Sequence, residues 1–300
     1  MYNTADKTFN FFKKDIEKIL NKDTPKLIIS NDLWASLKLG NIFKSKYNSK
    51  HITIVHGESP NLSVIEKKMH VKINQELLIC DKVIAVSTKI KNYMKKNFSY
   101  EKEVVIIGNG LDNEIINKYF NYKYVKSDTL TITSIGNINY NKGFDIVIEA
   151  LKDLKIPYKY FIIGDGKYKK NLMKLIEKYD LTDKIFFTGN IDNKKVFNIL
   201  EKSHFFILPS RNEAFGIVYL EAMVTKNICI GTKGEGCEDF ILDGKNGFLI
   251  SNKKEIRDII LEYHSGKMEL KITERALETA KLNTWEKNVN KLVKVYLNLV

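Results

Sequence analysis

The chain has 300 residues, of which 44% are hydrophobic and 11% aromatic, and a formal charge of +13. That length holds two domains or one large one, and ordinary hydrophobicity with only 4 prolines argues against extended disorder. The charge invites a nucleic-acid reading, but only Arg211, Arg257 and Arg275 among the 49 basic residues are arginine, the side chain that base contacts favour, so nucleic acid is set aside as a partner.

Lysine is spread over nearly every expected helix, which reads as compositional bias. It also suits peripheral attraction to an anionic membrane. Three cysteines, Cys80, Cys229 and Cys237, form no C-x-x-C and fit a reduced, cytoplasmic compartment. Residues Met1 to Asn10 lack the apolar core of a secretory signal, and no run approaches the ~20 apolar residues of a spanning helix.

In chain order, an amphipathic helix is expected at about Phe9–Leu20. Short apolar runs at Leu27–Ser30, Ile52–Val55, Val83–Val86 and Val104–Ile107 read as buried strands. Helical patterns separate them at about Asp32–Phe43, Ser63–Leu78 and Thr88–Asn97. The stretch Asn113–Asp128 is polar, rich in tyrosine and without a clear period. A second alternation follows. Its strands are Thr131–Ile135, Tyr160–Ile163, Ile185–Thr188, Phe205–Leu208 and Ile228–Gly231. Its helices lie near Gly143–Leu154, Lys169–Tyr179, Lys194–Glu201 and Gly216–Val224. The tail Trp285–Val300 is a packing helix with apolar Val289, Leu292, Val293 and Tyr296. Strands alternating with helices predict parallel sheets. The fold class is therefore α/β, with two Rossmann-like doubly wound domains facing a cleft, the first one reduced. The expected boundaries are 1–126, 127–283 and a C-terminal helix over 284–300.

The richest segment runs from Pro209 to Met223. Glu213 and Glu221 stand eight residues apart, the first in a strand-to-helix loop and the second inside the helix. Ligands bind at the C-terminal ends of such strands, where carboxylates accept from sugar hydroxyls and helix amides face an anion. Gly136 lets backbone approach a ligand, and Lys142 adds charge at a helix start, together suggesting a diphosphate cradle. A solvated lysine in an ordinary turn is the equal alternative on that segment alone. Ile163-Gly164-Asp165-Gly166 reads as a structural turn, and Gly189 reads the same way, on a loop placed so that it could edge a base pocket. Gly234-Glu235-Gly236-Cys237-Glu238 either presents amides to an anion or places Glu238 as a cap. His56, at a strand end, can bond a sugar or move a proton. The histidines form no metal set. The chain lacks G-x-G-x-x-G, the P-loop motif, D-x-D and G-x-S-x-G, so no metal and no separate cofactor is expected.

Taken together, the second half resembles retaining glycosyltransferase family 4, with the GT-B fold. The pieces fall in family order: Ile135-Gly136-Asn137 with Lys142-Gly143, Ile163 to Gly166, Phe187-Thr188-Gly189, Leu208 through Met223, and Gly234 to Glu238 with Asn246-Gly247. Val55-His56-Gly57, Asp81 to Ser87 and Ile107 to Asp112 match in the first half, and Thr284-Trp285-Glu286 resembles the start of the family's C-terminal helix.

The resemblance implies a nucleoside-diphosphate sugar as donor and a glycan or glycolipid hydroxyl as acceptor. It implies Glu213, His56 and Lys142 as the catalytic set. Gly136, Asn137, Lys142, Gly189, Phe215, Gly216, Ile217 and Glu221 would form the donor pocket. Glu213 would lie beside the sugar and Glu221 on the ribose. Lys142 would take the diphosphate, and the amides near Phe215 and Gly216 the sugar or phosphate.

Two departures stand out. The family's arginine one residue after Gly136 is Asn137 here, which removes a cation worth about 3 kcal/mol at the leaving group. The family's opening strand, Gly-rich loop and helix have no counterpart before Leu27. These departures motivate a second reading, a non-catalytic nucleotide-sugar-binding subunit that supports a complete partner. An epimerase of the same architecture is a third, and the glutamate spacing speaks against it.

Overall fold

The computed structural model describes residues 13, 15–20, 22–58, 64–120, 122, 124–269 and 271–299. Residues 15–20 are helical. The first part of the helix expected over Phe9–Leu20 lies outside the described residues, as does Ser63 at the start of another. Two compact units emerge, Met1–Gly108 with Val289–Val300, and Asn109–Asn288.

The first unit is a four-stranded parallel sheet of β1 (Leu27–Asn31), β2 (Lys50–Val55), β3 (Lys82–Ala85) and β4 (Val104–Ile106), in that spatial order. The helices α1 (Ala35–Tyr47), α2 (Val64–Ile79) and α3 (Thr88–Asn97) make the crossovers. The strand period of two sends Ile52, Ile84 and Ile107 to one face, where Leu292, Val295, Tyr296 and Leu299 of the C-terminal segment cover them. His51 points to the other face. There its Nδ1 lies 2.7 Å from Asn41 Oδ1 of α1 and its Nε2 lies 2.8 Å from Ser30 Oγ. Gly40 is required at that contact, because a Cβ would come within 2.1 Å of the His51 ring.

The second unit carries α4 (Asn113–Phe120), β5 (Leu130–Ile135), α5 (Phe144–Leu151), β6 (Tyr158–Ile163), α6 (Lys169–Lys178), β7 (Ile185–Gly189), α7 (Asn193–Lys202), β8 (Phe205–Ile207), α8 (Ile217–Val224), β9 (Ile228–Thr232), β10 (Phe248–Ile250), α9 (Lys253–His264) and α10 (Lys271–Leu282). Helix α11 (Trp285–Leu297) follows. The sheet is parallel, with the order β10-β9-β8-β5-β6-β7. From β5 the chain winds outward through β6 and β7, then returns to place β8 on the other side of β5. That reversal makes the sheet doubly wound and puts its switch point between β5 and β8.

The central strands are buried on both sides, and the polar side chains of β5 are satisfied internally: Thr133 Oγ1 lies 2.6 Å from Ser203 Oγ and Ser134 Oγ lies 2.8 Å from Tyr160 Oη. Phe205, Phe206 and Ile207 of β8 are fully buried, and the Tyr219 ring of α8 packs edge-on against Phe206 at 5.2 Å. Local capping sets several helix starts. Ser87 Oγ accepts from Ile90 N–H at the start of α3, and Asp192 Oδ1 accepts from Lys195 N–H at the start of α7.

Three differences from the sequence expectations have physical causes. The tyrosine-rich stretch holds α4, and its order comes from tertiary stacking: the Tyr119 and Phe197 rings lie 5.1 Å apart, and Glu201 accepts from Tyr119 and Tyr122. Between Gly247 and Thr284, where no element is expected, stand β10, α9 and α10. In the C-terminal segment, Leu292 and Tyr296 pack as expected, but Val289 and Val293 of α11 are exposed, and Val295 and, just beyond the helix, Leu299 take their place.

Candidate functional site

The loops that leave β5 and β8 meet at the switch point. After β5 the chain passes Gly136, and a single 3-10 turn over Tyr140–Lys142 follows, capped by Asn139, whose Oδ1 accepts from Lys142 N–H at 3.2 Å. Gly136 has φ +156°, and the Lys142 stem lies against it: a Cβ there would sit 3.7 Å from Lys142 Cδ and Cε. Lys142 is thus laid along the glycine loop with its ammonium carried beyond it. Gly143, at φ +71°, closes the turn against the other loop, and a Cβ there would lie 2.1 Å from Pro209 O. Only glycine meets both demands.

After β8 the chain runs through Pro209 and buried Ser210 to Glu213, which is 7% exposed. Lys142 Nζ donates to Glu213 Oε2 at 2.7 Å, and Ser210 Oγ donates to the same oxygen at 3.3 Å. The lysine and the first glutamate, 71 residues apart, therefore share one site. An ion pair between a lysine 24% exposed and a glutamate 9% exposed at the side chain is partly shielded from water, which strengthens it beyond a surface pair.

Helix α8 begins at Ile217, one residue after its expected start, because Gly216 adopts φ +85°. Tyr219 N–H closes this first turn on Gly216 O at 3.1 Å, and the amides of Ile217 and Val218 precede any intrahelical acceptor. A Cβ on Gly216 would come within 3.2 Å of Glu213 Cγ, so this helix start borders Glu213. Phe215 is buried against Phe240, with ring centroids 5.0 Å apart, and anchors the loop. Glu221 is the fifth residue of α8. Burial pushes its carboxyl up to about 7, and no charged neighbour contributes to the shift. No hydrogen bond to its carboxylate stands among the described residues.

Gly164 N–H donates to Gly189 O at 3.0 Å, and a Cβ on Gly164 would lie 2.1 Å from Gly136 O. The Gly-Asp-Gly turn is structural, as expected: it supports the glycine loop from below. Gly189, φ +69°, ends β7 beside that turn with open space where a Cβ would be. Asn137 is exposed at the tip of the β5 loop.

The Gly234–Glu238 loop resolves toward the capping alternative. Glu238 Oε2 accepts from Gly234 N–H at 2.7 Å, and Gly236 N–H donates to Glu213 O at 2.9 Å. Glu235, which the sequence does not single out, accepts from the backbone N–H of Glu213. Its only sequence signal is its place between two glycines.

His56 follows β2 in the first unit and is exposed. Its Nε2 lies 2.9 Å from Asn31 Oδ1, and its N–H donates to Asp32 Oδ1 at 3.0 Å. Among the described residues no group of three or more His, Cys, Asp or Glu side chains could hold a metal ion, and no helix is long and apolar enough to cross a membrane. All three cysteines are free and buried.

Two family models cover the chain. Glycosyl transferases group 1 matches residues 116–279, and glycosyltransferase family 4 matches residues 5–115. The glycosyltransferase MJ1178 of Methanocaldococcus jannaschii, itself uncharacterized, is 29% identical over 94% of this chain and 78% of its own length. The N-acetyl-alpha-D-glucosaminyl L-malate synthase of Bacillus anthracis is 26% identical over 67% of this chain and 54% of its own. Among solved structures, sucrose-phosphate synthase of Thermosynechococcus elongatus superposes with a TM-score of 0.81 at 18% identity, over 98% of this chain and 78% of that one. HepE of Anabaena, solved with UDP, gives 0.78 at 20% identity, over 96% and 82%. Both share the GT-B architecture, two parallel-sheet Rossmann-like domains. The chain belongs to the family of glycosyl transferases group 1.

Proposed function

We propose that this glycosyltransferase is retaining and metal-independent. It moves a sugar from a nucleoside-diphosphate donor to a hydroxyl of a glycan or glycolipid. The observation that carries the reading is the contact of Lys142 with Glu213 at the switch point of the second sheet. The ammonium suits a diphosphate, the carboxylate suits sugar hydroxyls, and the α8 amides suit either. The UDP held by HepE supports the same class of donor.

In this reading the bond from the sugar C1 to the β-phosphate oxygen breaks, and a bond from C1 to the acceptor oxygen forms on the same face. The acceptor proton passes to the departing diphosphate. Lys142 stabilises the charge that develops there, and Glu213 positions the sugar. Glu221 accepts from the ribose hydroxyls. Gly136, Asn137, Gly189, Phe215, Gly216 and Ile217 complete the donor pocket, and His56 acts on the acceptor side. Cytoplasmic placement, with exposed lysines drawn to an anionic membrane, belongs to the same reading.

Asn137 favours one alternative, a nucleotide-sugar-binding subunit that depends on a catalytic partner, because that position supplies no cation to the leaving group. The test is nucleoside-diphosphate release from UDP-, GDP- and ADP-sugars, with and without a panel of glycan and glycolipid acceptors, by the purified chain and by Glu213→Ala. Cleavage by the wild type, abolished in the variant while nucleotide affinity is kept, supports the enzyme. Equal turnover in the variant overturns it, and binding without turnover across the whole panel favours the subunit.

A further inference from the structure

Two residues before Glu213, the side chain of Arg211 reaches the loop that carries Lys142. Its Nη1 donates to Tyr140 O at 2.6 Å and to Asp145 Oδ1 at 2.9 Å, and its Nη2 donates to Asp145 Oδ2 at 2.6 Å. Its backbone N–H donates to Asn141 O at 2.6 Å. The guanidinium plane lies over the Tyr140 ring, 3.9 Å from its centroid. Arg211 thus holds both carbonyls that precede Lys142, and Asp145, in the first turn of α5, fixes the fork from the other side.

We propose that Arg211 and Asp145 are a positioning pair that sets Lys142 against Glu213 at the donor's leaving group. This rests on the reading of the pocket given above. The guanidinium is paired bidentately with Asp145, so its charge is already met and it does not replace the cation missing at Asn137. Its role is geometric. A planar fork serves two carboxylate oxygens, a carbonyl and an aromatic face at once, which an ammonium does not. The choice is pointed in a chain where only three of 49 basic residues are arginine. The two loops have no strand ladder between them beyond β5 and β8. Apart from the Lys142–Glu213 pair itself, their register rests on this fork, the Arg211 amide and the close approach of Gly143 to Pro209.

The test uses the full chain. Release of nucleoside diphosphate from UDP-, GDP- and ADP-sugars is measured alongside calorimetric binding of UDP, GDP and ADP. With the donor that the wild type cleaves, Arg211→Lys lowers the cleavage rate on the order of 100-fold, as a displacement of about 1 Å does. The dissociation constant of the matching diphosphate stays within about threefold, which separates transition-state from ground-state binding. Asp145→Asn shifts both quantities in the same sense by less, and guards against a folding failure of the first variant. Combining Arg211→Lys with Lys142→Ala costs less than the sum of the two, because both act on one group. The proposal is overturned if Arg211→Lys cleaves donor at the wild-type rate, or if rate and affinity fall by the same factor. A wild-type chain that binds none of the three diphosphates and cleaves none of the donors overturns the pocket reading and the positioning role with it.

Discussion

Lys142 and Glu213 meet at 2.7 Å across two loops that leave neighbouring strands of one sheet. Their separation along the chain is 71 residues, so nothing local joins them. The reversal of strand order at β5 does, because it sends the outward half of the chain to one side and returns β8 to the other. The ammonium is partly neutralised by the carboxylate in this arrangement. In the proposed pocket, a donor diphosphate competes with Glu213 for Lys142.

Asn137 gives the first prediction. In the proposed pocket Lys142 is the cation at the leaving diphosphate, and its charge is shared with Glu213. Asn137 is exposed, and its Oδ1 lies against the Gly166 turn, so a longer side chain at this position extends from that turn toward solvent. Asn137→Arg is expected to raise donor cleavage at saturating donor by roughly tenfold or more, since a lost donor of this kind costs about 3 kcal/mol. Steady-state kinetics of the two chains checks it. A lowered rate with unchanged folding would show that the asparagine side chain has its own part in the pocket.

Glu221 gives a pH dependence. Burial holds its carboxyl at about 7, above the ordinary carboxylate range, so the group is largely protonated below that pH. Ribose hydroxyls donate best to the ionised form. Nucleotide affinity is therefore full above pH 7 and declines as pH falls to 6. Binding draws the carboxyl down and releases a fraction of a proton at pH 7. Calorimetry of UDP, GDP or ADP binding in buffers of different ionisation enthalpy reads that proton directly, and Glu221→Gln removes it. Nucleotide binding with no proton release in the wild type would contradict the ribose role.

His51 sets the acid stability of the first unit. Burial, followed by the Lys44 charge, holds its imidazole down to about 4. The folded chain keeps it neutral while the unfolded chain protonates near 6.5. Unfolding then takes up protons as pH falls. The stability is full above about pH 6.5 and is lost progressively toward pH 4, on the order of 3 kcal/mol for this fully buried group. Half-buried His204, also held at about 4 by desolvation, adds a smaller loss of the same sign in the second unit. Urea midpoints between pH 7 and pH 4.5 are expected to fall. A flat profile, or a His51 resonance that titrates near 6.5, would contradict the buried network of Ser30, His51 and Asn41.

How much of this was legible follows from the range of the forces involved. Apolar runs and cap residues act locally, so β2, β5, β6, β8 and the α3 start at Ser87-Thr88 read from the sequence. The stretch 252–260 carried a signal of the same kind that the alternation obscured: Asn252 caps α9, Glu255 Oε2 accepts from Ser251 N–H, and Ile256 and Ile260 are buried. Helix α4 was not legible, because the tyrosines that order it stack on α7 and Glu201 rather than on their own helical face. At the site, the residue types of Lys142 and Glu213 were suggestive, but their contact was not. It depends on the strand order. The supporting group was hidden for the same reason: Arg211 finds Asp145 66 residues away, and Glu235 reaches the Glu213 amide from a loop after β9.

The most direct measurement of the central claim is a calorimetric titration of UDP, GDP and ADP into the wild type and Lys142→Ala. The wild type is expected to bind at least one diphosphate, and the variant to bind it on the order of tenfold or more weakly, as the loss of a charge-assisted contact requires. Equal affinity in the two chains, or no binding of any of the three by the wild type, would contradict a donor pocket built on Lys142 and Glu213.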